Sequence, residues 1–339
     1  MAEQSLSTEI VGEPLLRVEG ITKLFPVSGS LFGKKNYVCA VDNVSFSMAK
    51  GDALALVGES GCGKSTLGRL ILALLKPTSG QILFKGKNIW NMSKSEFKWF
   101  RRNAQIVQQD PYQTLNPMRT VFQSLVPPLS HYKVVNKKEE MRERVAELLE
   151  SVGLCPPQDF FDRYPSRLSG GQMQRISIAR AVSVNPLLLI ADEAVSMIDA
   201  SLRIEVLNLL LDLKKRLGMT CVLITHDFGV ARYFAKGGKV MVMYLGSIVE
   251  AGPTEDVILK PKHPYTETLL ASVPLPDPKL TRSKGLPPLR SVEIPKLTNV
   301  PSGCKFHPRC PYAEDICAKK VPELKTVYKQ HVVACHRLS

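Results

Sequence analysis

The stretch Gly58-Glu59-Ser60-Gly61-Cys62-Gly63-Lys64-Ser65 restricts most strongly what this chain can become. It follows a short apolar run over 52–57 that suits a buried strand, and it opens a helical pattern over 65–75. Strand, G-x-x-x-x-G-K-[ST] and helix together make a phosphate cradle, because the glycines let the backbone N–H groups turn inward on phosphate oxygens. The helix start adds the positive end of its dipole. In such a loop Lys64 reaches the β- and γ-phosphates and the Ser65 hydroxyl ligates Mg2+, with Gly58, Glu59, Ser60, Gly61, Cys62, Gly63 and Thr66 completing the nucleotide contacts. With Gly near 7% of residues, a chance match in a chain of this length is on the order of one in a hundred.

Around this loop, short strands are expected over 15–55, interrupted by a turn-prone stretch at 28–35. Helix formers and charge dominate 93–167, with a helix over 137–152. Strands return at 187–191 and 220–225, separated by a helix over 201–217, and 240–244 with 247–250 reads as a hairpin. Alternating strands and helices predict an α/β fold with a mainly parallel sheet and a helical insertion. Past Lys260 proline becomes frequent and periodicity fades, which predicts a Pro-rich linker into a small loop-rich module. The expected boundaries are 15–260 for a nucleotide-binding domain, with a helical subdomain at about 93–180, and 261–339 for the linker and module.

Apolar residues make up 44% and charged residues 22%, which excludes a collagen, a coiled coil or a disordered chain. No apolar run approaches the roughly 18 residues of a membrane span. Residues 1–14 carry three Glu and no basic apolar block, so no signal peptide is expected, and the reading is a soluble cytosolic protein. Of the net charge of +14, residues 260–339 supply 14 basic against 6 acidic side chains. No aromatic residues interleave these charges as a base-stacking platform would need, so a solvated face is expected and no nucleic-acid partner.

The metal of a phosphate site needs an acid at the end of a second buried strand. Leu187-Leu188-Leu189-Ile190-Ala191-Asp192-Glu193 supplies one. Asp192 is placed to hold Mg2+ through water and Glu193 to act as general base toward the attacking water. Alone, two acids after a strand would read as a helix N-cap; beside the phosphate loop, the catalytic reading is stronger.

Between these motifs lies Leu168-Ser169-Gly170-Gly171-Gln172-Met173-Gln174-Arg175, where Ser169 opens a helix whose N-terminal amides form a second anion site. This resembles the signature sequence of ATP-binding cassette (ABC) ATPases. The resemblance implies a P-loop cassette with a mainly parallel sheet, N-terminal antiparallel strands and a helical subdomain. It also implies that Ser169, Gly170, Gly171 and Gln172 cap the γ-phosphate held by a second subunit, the two closing head-to-tail around ATP. Gln109 looks like the glutamine that senses Mg2+ and γ-phosphate, with Gln108 beside it as a rival. His226 resembles the switch histidine, and Asp199 the loop that signals between sites. Phe25 stands where the family places an adenine-stacking aromatic, with Tyr37 as its rival. Ala194 departs from the proline usual after the catalytic glutamate.

The segments Asp110-Pro111-Tyr112-Gln113-Thr114-Leu115-Asn116-Pro117, His263-Pro264-Tyr265 and Gly303-Cys304-Lys305-Phe306-His307-Pro308-Arg309-Cys310-Pro311 resemble the oligopeptide/dipeptide branch of ABC importers. That implies an ATPase on the cytoplasmic face of the membrane, peripheral to two permease subunits. Its further partners would be a second, different ATPase subunit and an external substrate-binding protein. Nickel or oligosaccharide uptake is the alternative within the branch; a soluble nucleic-acid-associated ABC ATPase is the remote one.

Four of the eight cysteines, Cys304, Cys310, Cys317 and Cys335, crowd the last 36 residues with spacings x5, x6 and x17. A segment with so little apolar core gains cross-links from a metal centre. Structural zinc favours C-x2–4-C pairs, which are absent here; iron–sulfur clusters also use four Cys, and Pro311 follows Cys310 as it often does near them. The branch includes subunits with a C-terminal [4Fe–4S] cluster, so the resemblance implies that cluster, with zinc and free thiols as alternatives. The remaining cysteines, Cys39, Cys62, Cys155 and Cys221, read as ordinary reduced thiols.

Overall fold

A computed structural model describes residues 13–27, 36–135, 137–196, 198–272 and 289–338. The turn-prone stretch at 28–35, the first twelve residues and 273–288 of the expected linker lie outside the described residues. The strands are β1 (Leu16–Val27), β2 (Asn36–Met48), β3 (Ala53–Val57), β4 (Ser79–Phe84), β5 (Lys87–Asn88), β6 (Ala104–Val107), β7 (Leu188–Asp192), β8 (Thr220–Thr225), β9 (Lys239–Tyr244), β10 (Ser247–Pro253), β11 (Lys325–Tyr328) and β12 (His331–Val333). The chain divides into two compact units. One takes the described residues up to 47, 54–83 and those from 225 onward; the other takes 48–53 and 84–224.

In the first unit β3 pairs parallel with β9, and β9 continues through antiparallel pairings to β10, β12 and β11. Strands β2, β1 and β4 lie side by side in that order. In the second unit β6, β7 and β8 run parallel. Every residue of β7 and β8 is buried, as expected of strands covered on both faces, where apolar side chains are continuous rather than alternating.

The helices of the second unit are punctuated by side chains. Ser93, Thr120 and Ser169 each close a capping box, with Glu96, Gln123 and Gln172, at the starts of Lys94–Asn103, Val121–His131 and Gly170–Val182. Gly218, at φ 61°, ends Ala200–Leu217.

One expectation changes. The helix after the phosphate loop spans Lys64–Ile71 and stops short of residue 75, because the chain turns left-handed at Ala73 (φ 51°) before Pro77. Within the loop-rich C-terminal segment β12 adds to the sheet through Glu250↔Val333 and Ala251↔Val332, and β11 follows it. Strands of three and four residues are too short to show a period of two. What holds β12 is a buried polar knot, in which the Glu250 carboxylate accepts from the Lys262 and His263 amides and meets His331 Nε2 at 2.7 Å.

Candidate nucleotide site

The phosphate loop lies between β3 and the helix Lys64–Ile71. Gly63 caps that helix at φ 105°, and a Cβ there would stand 2.0 Å from the Ala40 carbonyl oxygen. A Cβ on Gly58 would stand 2.2 Å from the Met243 carbonyl. Both glycines are therefore required by close backbone approach, from β2 on one side and β9 on the other. Lys64 is buried, and its ammonium donates to the Gly58 and Glu59 carbonyls at 2.8 Å, resting across the loop it would leave for a phosphate. Cys62, also buried, has its thiol pushed up by desolvation against the opposing pull of Lys64.

The loop has supports that sequence reading did not identify. The Glu59 amide donates to Tyr265 Oη at 3.0 Å, and the Glu59 carboxylate takes a forked pair from Arg309 Nη1 and Nη2 at 3.0 and 3.1 Å. Both supporting residues fall inside segments quoted for their family likeness, but no local pattern indicates which atoms they hold.

In the second unit, Asp192 closes β7 and is buried, and Glu193 follows it at φ 48°. A left-handed Glu is costly and persists only where its surroundings fix it. Here the Glu193 amide donates to the Ile224 carbonyl at 3.0 Å. Its carboxylate accepts from Gln109 Nε2 at 2.8 Å and from Ser196 Oγ at 3.2 Å. The structure thus brings together the predicted acid and Gln109, rather than Gln108. Ala194 is buried directly after the acid. Ser169 is the N-cap of its helix, as predicted, and Asp199 stands at the start of Ala200–Leu217 without a side-chain cap bond.

His226 is exposed just past β8, followed by Asp227, which caps Phe228–Phe234 through the Gly229 and Val230 amides. Phe25 lies in β1 beneath the Lys23 ammonium, 5.2 Å from its ring, while Tyr37 in β2 is exposed. Neither aromatic is singled out by its contacts.

Cys304, Cys310, Cys317 and Cys335 line one cavity of about 20 Å3, together with His307 and His336. Burial pushes the Cys304 thiol up to about 11, and the other three sulfurs add to the shift; burial also raises Cys310 and Cys335. Among the described residues, no group of three or more His, Cys, Asp or Glu side chains is drawn close enough to hold a metal ion. The module's histidines have partners of their own: His331 meets Glu250, His336 the Lys320 carbonyl and His307 the Cys304 carbonyl.

Comparison with known proteins agrees with this geometry. The ABC transporter family matches residues 41–196, and the oligopeptide/dipeptide transporter C-terminal region matches 249–317. A probable peptide ABC transporter ATP-binding protein of Sinorhizobium fredii is 45% identical over 96% of this chain and 90% of its own length. The oligopeptide transport ATP-binding protein AppF of Bacillus subtilis is 44% identical over 96% of this chain and 98% of its own. Among solved structures, a dimeric ATP-binding cassette bound to ADP and Pi in a post-hydrolysis state superposes with a TM-score of 0.62 at 29% identity, covering 70% of this chain and 98% of the other. Among the described residues no helix is long and apolar enough to cross a membrane. With a nucleotide loop, a signature helix and relatives matched over nearly their full length, the chain belongs to the ATP-binding subunits of ABC transporters that carry the oligopeptide/dipeptide C-terminal region.

Proposed function

We propose that this chain hydrolyses ATP to power the import of di- or oligopeptides through a membrane permease. The observation that carries the reading is the loop at 58–66 in a chain whose full-length relatives are named peptide and oligopeptide ATP-binding proteins. In this reading the cassette is the stretch 15–260, with its helical subdomain near 93–180, and 261–339 is an appended linker and module. Gly58 to Thr66 wrap the phosphates, Lys64 leaves its loop carbonyls for the β- and γ-phosphates, and Phe25 or Tyr37 stacks on adenine. Ser65, Asp192 and Gln109 would hold the Mg2+ that accompanies the nucleotide, and that ion would supply neutralisation of phosphate charge. Glu193 takes the proton of the attacking water. His226 contacts the γ-phosphate, while Ser169 to Gln172 and Asp199 serve the site shared with a second ATPase subunit. That subunit, two permeases and an external binding protein complete the transporter, with this chain peripheral on the cytoplasmic face.

We read the cysteine module as the place of a structural [4Fe–4S] cluster, with zinc as the alternative. The support is that four sulfurs line one cavity, and that burial opposes ionisation of Cys304, Cys310 and Cys335, a cost that a cationic centre would offset. The cluster would tie together loops that have little core of their own.

One paired assay on anaerobically purified protein tests both halves. Iron at about four atoms per chain with absorption near 400 nm is expected, along with ATPase activity that rises when membranes carry the cognate permeases. Zinc in place of iron would discard the cluster and keep the transporter. Turnover stimulated by RNA or DNA and indifferent to permeases would overturn the import reading.

A further inference from the structure

Glu59 sets a carboxylate within the phosphate loop, beside the place where a triphosphate would bind. Its charge is met from the far end of the chain. Arg309 is 6% exposed and forks both guanidinium nitrogens onto both Glu59 oxygens, a bidentate geometry that fixes orientation as well as neutralising charge. The guanidinium is held in turn by the rings of Tyr244 and Phe306, at 5.9 and 5.7 Å from their centroids.

Phe306 is buried edge-on against Tyr244 at 5.4 Å, and Tyr244 packs on Tyr265 at 4.5 Å. Tyr265 is the residue whose hydroxyl takes the Glu59 amide. A second anchor lies one residue before Phe306, where the Lys305 ammonium donates to Asp42 Oδ2, the Leu245 carbonyl and Ser247 Oγ at 2.7–2.8 Å. Lys305, Phe306 and Arg309 all lie between Cys304 and Cys310. This one short turn, bracketed by two of the module's thiols, grips β9, β10 and the phosphate loop together.

We propose that Arg309 is a positioning residue of the nucleotide site: the 304–310 turn holds the phosphate loop in shape through Glu59 and cancels the carboxylate that would otherwise repel ATP. The proposal rests on the loop being the ATP site. Without Arg309 the Glu59 charge is left partly buried and unpaired, and the loop loses its side-chain tether while keeping the Tyr265 bond to its amide. Both consequences weaken binding of an anion, and the electrostatic part responds to salt. Neutralising Glu59 in the same molecule removes the repulsion.

The test is the dissociation constant of a fluorescent N-methylanthraniloyl ATP on full-length protein. Wild type, Lys64→Ala, Arg309→Met, Arg309→Lys and Arg309→Met/Glu59→Gln are compared, each checked by thermal melting. Arg309→Met is expected to bind about tenfold more weakly, less so at high salt, as one buried charge pair lost would give. The double variant should recover to within about threefold of wild type, because the mutations share one interaction. Arg309→Lys keeps the charge and loses the fork, so it should fall between, with KM raised and kcat unchanged. Wild-type affinity in folded Arg309→Met, or a double variant no tighter than Arg309→Met, overturns the proposal. If Arg309→Met does not fold, wild-type affinity in Arg309→Lys overturns it. Should wild type itself fail to bind the probe, or bind it no better than Lys64→Ala, the fault lies in the ATP-site reading instead.

Discussion

Glu193→Gln is expected to lose ATP turnover by about 10²–10⁴-fold, the range a positioned general base contributes, while nucleotide binding stays within about twofold. Geometry makes this substitution informative. The Glu193 backbone is fixed in a left-handed conformation with its amide on the Ile224 carbonyl, so a glutamine of the same shape keeps the same place. Its amide oxygen can still accept from Gln109 Nε2 and Ser196 Oγ. What it lacks is the basic oxygen, so binding and catalysis should separate. Single-turnover phosphate release beside a binding titration measures the two, and normal turnover in the variant would remove Glu193 from its role.

Gly63→Val should lower nucleotide affinity by at least about 10²-fold, and Gly61→Ala by about tenfold or less. Both positions are left-handed, at φ 105° and 79°, so each variant incurs backbone strain of roughly 1–2 kcal/mol. Only Gly63 adds a collision. Its Cβ would stand 2.0 Å from the Ala40 carbonyl oxygen and 3.0 Å from Met243 Cε, whereas Gly61 has nothing within 4 Å. Met243 can give way at its flexible end; Ala40 belongs to the backbone of β2 and cannot move cheaply. The loop must shift instead, carrying the N-terminus of Lys64–Ile71 and the Lys64 ammonium with it. Comparable losses in the two variants would mean that strain alone, and not approach to β2, governs the loop.

What the sequence discloses is what local chemistry decides. The strand–loop–helix of the phosphate loop, the acid at the end of an apolar strand and the helix opened by Ser169 are each encoded within a few residues, and each has that local structure. β7 and β8 are legible because strands covered on both faces must be apolar throughout. Helix ends are less so: apolar residues continue to Leu75, yet the chain has already turned at Ala73. β11 and β12 escape because four and three residues give at most two repeats of a strand's period of two, and β12 depends on Glu250, 81 residues from its partner His331. The Arg309–Glu59 fork spans 250 residues. Only folding brings those two charges together, and no spacing rule connects them. The cysteines fall between these cases. Their crowding is visible in the sequence, whereas their convergence on one cavity is a tertiary fact.

The central claim is that ATP hydrolysis by this chain drives peptide import. The most direct measurement uses proteoliposomes holding the cognate permeases and both ATPase subunits, with ATP on the ATPase side and labelled peptide with its binding protein on the other. Peptide should accumulate only with ATP, and not when this chain carries Glu193→Gln. Hydrolysis that proceeds unchanged by loaded binding protein, with no peptide entering, would contradict the claim.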